Sequence, residues 1–145
     1  MTTILLVDDN AVVRQILGLI LLSNGKYRVL EAATQREAVG QYEQWGSEID
    51  LLIADVCVGG QSGRAIANEL TTLCPQLRVL FISGYPKDHL VGNELLGPDD
   101  ALLAKPFSPE TLFGRVHEVL TGSHKSRIVA RREQSCMGEV REAAS

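Results

Sequence analysis

Four short apolar runs in this chain of 145 residues each stop on a charged or hydroxyl residue. ILLV (4–7) runs straight into Asp8 and Asp9. DLLIAD (50–55) ends in Asp55, RVLFIS (78–83) in Ser83 and ALLAK (101–105) in Lys105. Runs this short and this apolar suit strands buried on both faces, which is the condition of a parallel sheet covered by helices. The adjacent aspartates raise a question of charge. Two like carboxylates at the end of a buried strand repel each other and lose hydration, so positive charge belongs beside them.

Helical patterns lie between the runs. Residues 11–23 carry Val12, Val13, Ile16, Leu17, Ile20 and Leu21 at helical spacing, with Asn10 or Asp9 as the cap and Asn24-Gly25 as the stop. YRVLEA (27–32) reads as a further strand. Residues 34–45 read as a helix whose Thr34 and Glu37 stand in capping-box spacing. Helices are also expected over 64–73, weakly over 87–96, and over 109–121, where Pro109 falls in the first turn. VCVGGQSG after Asp55 reads as a glycine-rich loop. The pattern is five βα units without an internal repeat: an α/β, doubly wound parallel sheet of five strands with five helices.

In such a sheet the ligand site lies beyond the carboxyl ends of the strands. Asp8, Asp9, Asp55, Ser83 and Lys105 would then share one edge. Any one of them alone reads best as a solvated loop residue, but five together at the ends of four apolar strands do not. Three carboxylates and one ammonium suit a hard divalent cation. Mg2+ takes one or two carboxylates, keeps waters, and shares its shell with phosphate. Lys105 can reach a second anion, Ser83 can donate a hydrogen bond to it, and Asp55 is the natural oxygen nucleophile.

Composition narrows the class. Apolar residues make up 45% and charged residues 22%, a globular balance. The net charge of -4 disfavours grip on nucleic acid through phosphates, so no direct nucleic-acid binding is expected. No apolar run approaches the roughly 20 residues of a membrane span, and no signal-peptide pattern opens the chain. Cys57, Cys74 and Cys136 form no C-x-x-C pair, which indicates neither a disulfide framework nor a zinc site and fits a cytoplasmic protein.

The set Asp8, Asp9, Asp55, Ser83 and Lys105-Pro106, with Gly63 eight residues past Asp55, resembles the receiver domain of two-component response regulators, over about residues 3 to 121. The resemblance implies a flavodoxin-like strand order 2-1-3-4-5. It implies that Asp55 takes a phosphoryl group from a histidine kinase or histidine phosphotransfer protein. It implies Mg2+ held by Asp9, Asp55 and the carbonyl of Cys57, with Asp8 acting through water. Lys105 would pair with the phosphoryl group, Ser83 would move toward it, and the Lys105-Pro106 bond would be cis. The output partner is unknown.

Three positions depart from that family. Its switch aromatic lies three residues before the lysine, where this chain has Leu102; Tyr85 is a substitute at best and reads more simply as a residue flanking the site. Val58 and Gly59 replace a common methionine and proline, and Gly59-Gly60 should loosen the loop. Cys57 lies beside the acceptor, but surrounding carboxylates disfavour a thiolate, so it reads as a position that tunes phosphoryl lifetime rather than a redox sensor.

The receiver pattern fills residues 1–122. Residues 123–145 form a tail with five basic and three acidic residues, read as disordered or as a helical extension. A strand starting at residue 4 leaves no room for a preceding domain, which favours a stand-alone regulator, while LFISGYP resembles receivers of hybrid histidine kinases. Two other classes compete. One is a receiver-fold interaction module that is never phosphorylated, which the intact acidic set weighs against. The other is an aspartyl-nucleophile phosphatase of the haloacid-dehalogenase type, whose D-x-D on the first strand is absent. A dinucleotide site fails for lack of G-x-G-x-x-G after that strand.

Overall fold

A computed structural model describes residues 1–58, 60–93, 96, 97 and 100–122. The expected tail at 123–145, with Cys136, lies outside the described residues, as does Gly59. The chain runs β1 (Thr2–Val7), α1 (Ala11–Leu22), β2 (Tyr27–Ala32), α2 (Gln35–Trp45), β3 (Ile49–Asp55), β4 (Cys57–Val58), β5 (Gln61–Ser62), α3 (Gly63–Leu73), β6 (Arg78–Ser83), α4 (Lys87–Gly92), β7 (Leu102–Ala104) and α5 (Pro109–Leu120). The five long strands form one parallel sheet in the order β2-β1-β3-β6-β7. This is the expected 2-1-3-4-5 order, because β4 and β5 belong to a separate antiparallel pair. The glycine-rich loop after Asp55 is therefore a miniature hairpin.

Side chains alternate across the strands and feed two cores. Leu5, Val7, Leu52, Ala54, Val79 and Phe81 face α2 and α3. Ile4, Leu6, Leu51, Ile53, Leu80 and Ile82 face α1 and α5. Burial on both faces is why these runs carry no polar alternation.

Local capping follows the sequence closely. Asn10, not Asp9, caps α1 by accepting the Val13 N–H at 3.1 Å. Thr34 accepts the Glu37 N–H, and Glu37 reaches back one residue further than expected, to the Ala33 N–H at 2.7 Å. Ser62 and Ser108 cap α3 and α5.

Two expectations need correction. The apolar face of α1 is narrower than its apolar sequence. Leu17, Gly18 and Leu21 are buried, whereas Val12 is 65% and Ile16 52% exposed, alongside exposed Leu19 and Leu22. An apolar stripe wider than the contact leaves periodicity unable to say which edge faces the sheet. The buried edge is the one that carries Gly18, where a Cβ would stand 3.2 Å from a Glu31 carboxylate oxygen on β2. The fourth helix ends at Gly92 rather than 96, with Asn93 at its C-cap.

Candidate functional site

Strand register assembles the site. Val7 pairs with Ala54, so Asp8 leaves β1 level with Asp55 at the end of β3. Asp55 pairs with Ile82 and Ser83 with Ala104, which sets Ser83 and Lys105 along the same edge. The Lys105 N–H donates to the Ser83 carbonyl at 2.8 Å and fixes this last step. The Lys105-Pro106 bond is cis.

Asp55 is held at both oxygens. Its Oδ1 accepts the backbone N–H of Cys57 at 3.1 Å, and its Oδ2 accepts from Lys105 Nζ at 2.9 Å. The Asp55 side chain is 17% and the Lys105 side chain 33% exposed, so solvent screens the pair only in part. Gly63 is required by a close approach. Its N–H donates to the Val56 carbonyl at 2.6 Å, and a Cβ on it would collide with the carbonyl oxygen of Asp55.

Asp8 is buried, and its carboxyl is held above the usual carboxylate range. Burial is the main cause, and the negative charges of Asp55 and Asp9 add to it. The Asn10 N–H, donated to Asp8 Oδ1 at 2.9 Å, and Lys105 oppose the shift. Asp9 is exposed. Sequence reading missed Arg14, whose guanidinium donates to the backbone carbonyl of Asp8 at 2.7 Å and to Glu31 at 3.0 Å. It lies one helical turn past the Asn10 cap, and only the packing of α1 on β2 turns it toward the site.

Ser83 is buried, but its hydroxyl faces its own chain: Oγ accepts the Tyr85 N–H at 3.0 Å. Tyr85 is exposed and stacks on His89, with ring centroids 5.3 Å apart. Leu102 is half-buried against the core on the α3 side. Cys57 carries a half-buried thiol opposite Ser62 in the hairpin.

The donors Asp8, Asp9 and Asp55 fit a hard cation in kind. A carboxyl whose ionisation is opposed first by its burial and then by two like neighbours is where added positive charge gains most. Among the described residues no three His, Cys, Asp or Glu side chains stand close enough to form a cage by themselves. An ion there would complete its shell with water and other oxygens. Among the described residues, no helix is long and apolar enough to cross a membrane.

The profile of the family described as "Response regulator receiver domain" matches residues 4–117. Sensor kinase CckA of Brucella abortus is 35% identical over 118 residues, which is 81% of this chain and 12% of the kinase. Two further curated relatives are matched over 48% and 52% of their lengths, so the chain spans about half of them or less. The solved receiver domain of the hybrid histidine kinase CckA superposes with a TM-score of 0.66 at 34% identity, covering 81% of this chain and 98% of that one. A CheX-CheY-BeF3-Mg+2 complex from Borrelia burgdorferi gives 0.70 at 26% identity, over 81% and 88%. Receiver domains are signalling modules rather than conventional enzymes, and this chain belongs to the response regulator receiver domain family.

Proposed function

We propose that Asp55 accepts a phosphoryl group from a phosphohistidine, on a histidine kinase or histidine phosphotransfer protein. The observation that supports this is the clamping of the Asp55 carboxylate between the Cys57 N–H and the Lys105 ammonium. A carboxylate fixed at both oxygens at the mouth of the sheet loses little freedom on attack. A carboxylate oxygen bonds to phosphorus, the N–P bond breaks, and the imidazole leaves. Lys105 follows the negative charge from the carboxylate to the new phosphoryl oxygens. Ser83 donates its own hydroxyl proton to the phosphoryl group, and a rotation that carries Oγ toward it loosens the bond accepted from the Tyr85 N–H and with it the turn into α4.

Asp9, Asp55 and the Cys57 carbonyl are the proposed holders of Mg2+, with Asp8 acting through water; the ion would neutralise charge that builds on the phosphoryl oxygens. The protein is a cytoplasmic phosphoprotein in this reading. It catalyses only its own phosphorylation and slow dephosphorylation, and the phosphorylated form changes affinity for an output partner. Residues 1–122 form the receiver and 123–145 a basic appendage. The short match to a sensor kinase favours a donor of the histidine-kinase class.

Intact mass after incubation with acetyl phosphate and Mg2+ tests the proposal. A gain of one phosphoryl group is expected, lost with EDTA and absent in Asp55→Asn. Unchanged labelling of Asp55→Asn would refute the assignment.

A further inference from the structure

The largest fully buried side chain in the described fold is charged. Arg64, in the first turn of α3, is 2% exposed, and its guanidinium pairs with the Asp100 carboxylate, which is 4% exposed. Asp100 also accepts the Gly97 N–H at 2.7 Å, so the pair ties α3 to the entry into β7. One helical turn along the same face is Asn68, also buried. Among the described residues neither its Oδ1 nor its Nδ2 finds a hydrogen-bond partner.

Both flanks of this polar seam lead back to the acceptor. On one side, Gly63 immediately precedes Arg64 and donates to the Val56 carbonyl against the Asp55 peptide. On the other, Asp100 is followed by Ala101, whose carbonyl accepts the Phe81 N–H at 2.9 Å. β7 then runs to Lys105, whose ammonium rests on Asp55. The contacts close a ring: Asp55, Gly63, Arg64, Asp100, β7, Lys105, Asp55. A buried ion pair adds little stability over apolar residues of the same size, so stability does not account for it. An orphaned buried amide is a cost that this arrangement carries and a different one could relieve.

We infer that the Arg64–Asp100–Asn68 seam is a bistable element that carries the state of Asp55 to the face formed by α4 and β7. When Lys105 follows charge onto the phosphoryl group, β7 shifts, the approach of Asp100 to Arg64 changes, and the Asn68 amide gains the partner it lacks. The inference rests on the acceptor reading above. Leu102, on the same strand, has no ring or polar group with which to do this work.

The test is amide hydrogen exchange of α4 and β7 with and without acetyl phosphate and Mg2+, read beside phosphoryl uptake by intact mass. The full chain is compared with Asn68→Leu and with the double variant Arg64→Met/Asp100→Leu, which replaces the ion pair with apolar side chains and so preserves packing. In the wild type, phosphorylation is expected to change exchange by about fivefold or more, and in both variants by less than about twofold at equal uptake. Melting temperature with and without phosphodonor separates a structural loss, which lowers both values together, from a loss of coupling. Variants that respond like the wild type would overturn the seam while leaving the acceptor reading intact. A wild type that takes up phosphoryl without any exchange change would overturn it too. A wild type that gains no phosphoryl would remove the acceptor reading and the seam's role with it.

Discussion

Gly63→Ala joins fold and site in one perturbation. The added Cβ would collide with the Asp55 carbonyl oxygen and lie 3.1 Å from its carbon and 3.3 Å from the Val56 Cα. All three are backbone atoms, so no side chain can swing away. Either α3 retreats or the acceptor peptide moves. Overpacking of this kind costs about 1–3 kcal/mol. The Gly63 N–H to Val56 bond, 2.6 Å long, would be lost or stretched for about 1 kcal/mol more. The sum, about 2–4 kcal/mol, is a large part of a typical domain's ~5–15 kcal/mol. At about 4 °C per kcal/mol, the melting temperature should fall by roughly 8–16 °C. Because Asp55 itself is displaced, labelling by acetyl phosphate should slow by about tenfold or more at a temperature where the variant is folded. Circular dichroism melts and timed intact mass measure both effects. Gly40→Ala is the control: a Cβ there meets nothing within 4 Å, and the change should stabilise the helix by about 0.5–1 kcal/mol. A Gly63→Ala protein that melts within about 2 °C of wild type and labels normally would refute the close-approach argument.

Asp8→Asn should stabilise the protein at neutral pH. The folded state holds the Asp8 proton more tightly than the unfolded chain, so ionisation removes stability as pH rises from 3.8 through the raised folded value. Melts in EDTA should show the variant ahead at pH 7 and level with wild type below about pH 3.8, and a pH-independent gap would contradict the linkage. On α1, Ile16→Gln with Leu19→Gln should change urea stability by less than about 1 kcal/mol. Leu17→Ala, in the buried stripe, should cost about 2–5 kcal/mol, and equal costs for both changes would contradict the observed facing of the helix. Lys105→Ala should retain some labelling but lose the partner response; a normal response would contradict its role in following the charge.

Much of the fold was legible because it is built from local signals. Short apolar runs, capping residues and glycine stops specify βα units one at a time. Asn10, Thr34 and Pro109 each act within one turn of where they sit. The acidic pair, Asp55, Ser83 and Lys105 were legible for a related reason: a parallel sheet delivers every strand end to the same edge. Tertiary packing decided the rest. Which edge of α1 is buried depends on Gly18 meeting Glu31, a contact that its own periodicity does not contain. The hairpin after Asp55 exists because Cys57 pairs with Ser62 and Val58 with Gln61, with Gly60 at positive φ between them.

The sequence by itself determined the order of the five βα units and which residues reach the sheet's edge, since both follow from residue type and strand ends. Only the tertiary structure could decide that Arg14 reaches the carbonyl of Asp8, that Ser83 is engaged by Tyr85, and that Arg64 is buried against Asp100, 36 residues away. The physical reason is desolvation. A lone arginine in a helix reads as a solvated charge, and it becomes a buried partner only when a distant carboxylate is folded against it.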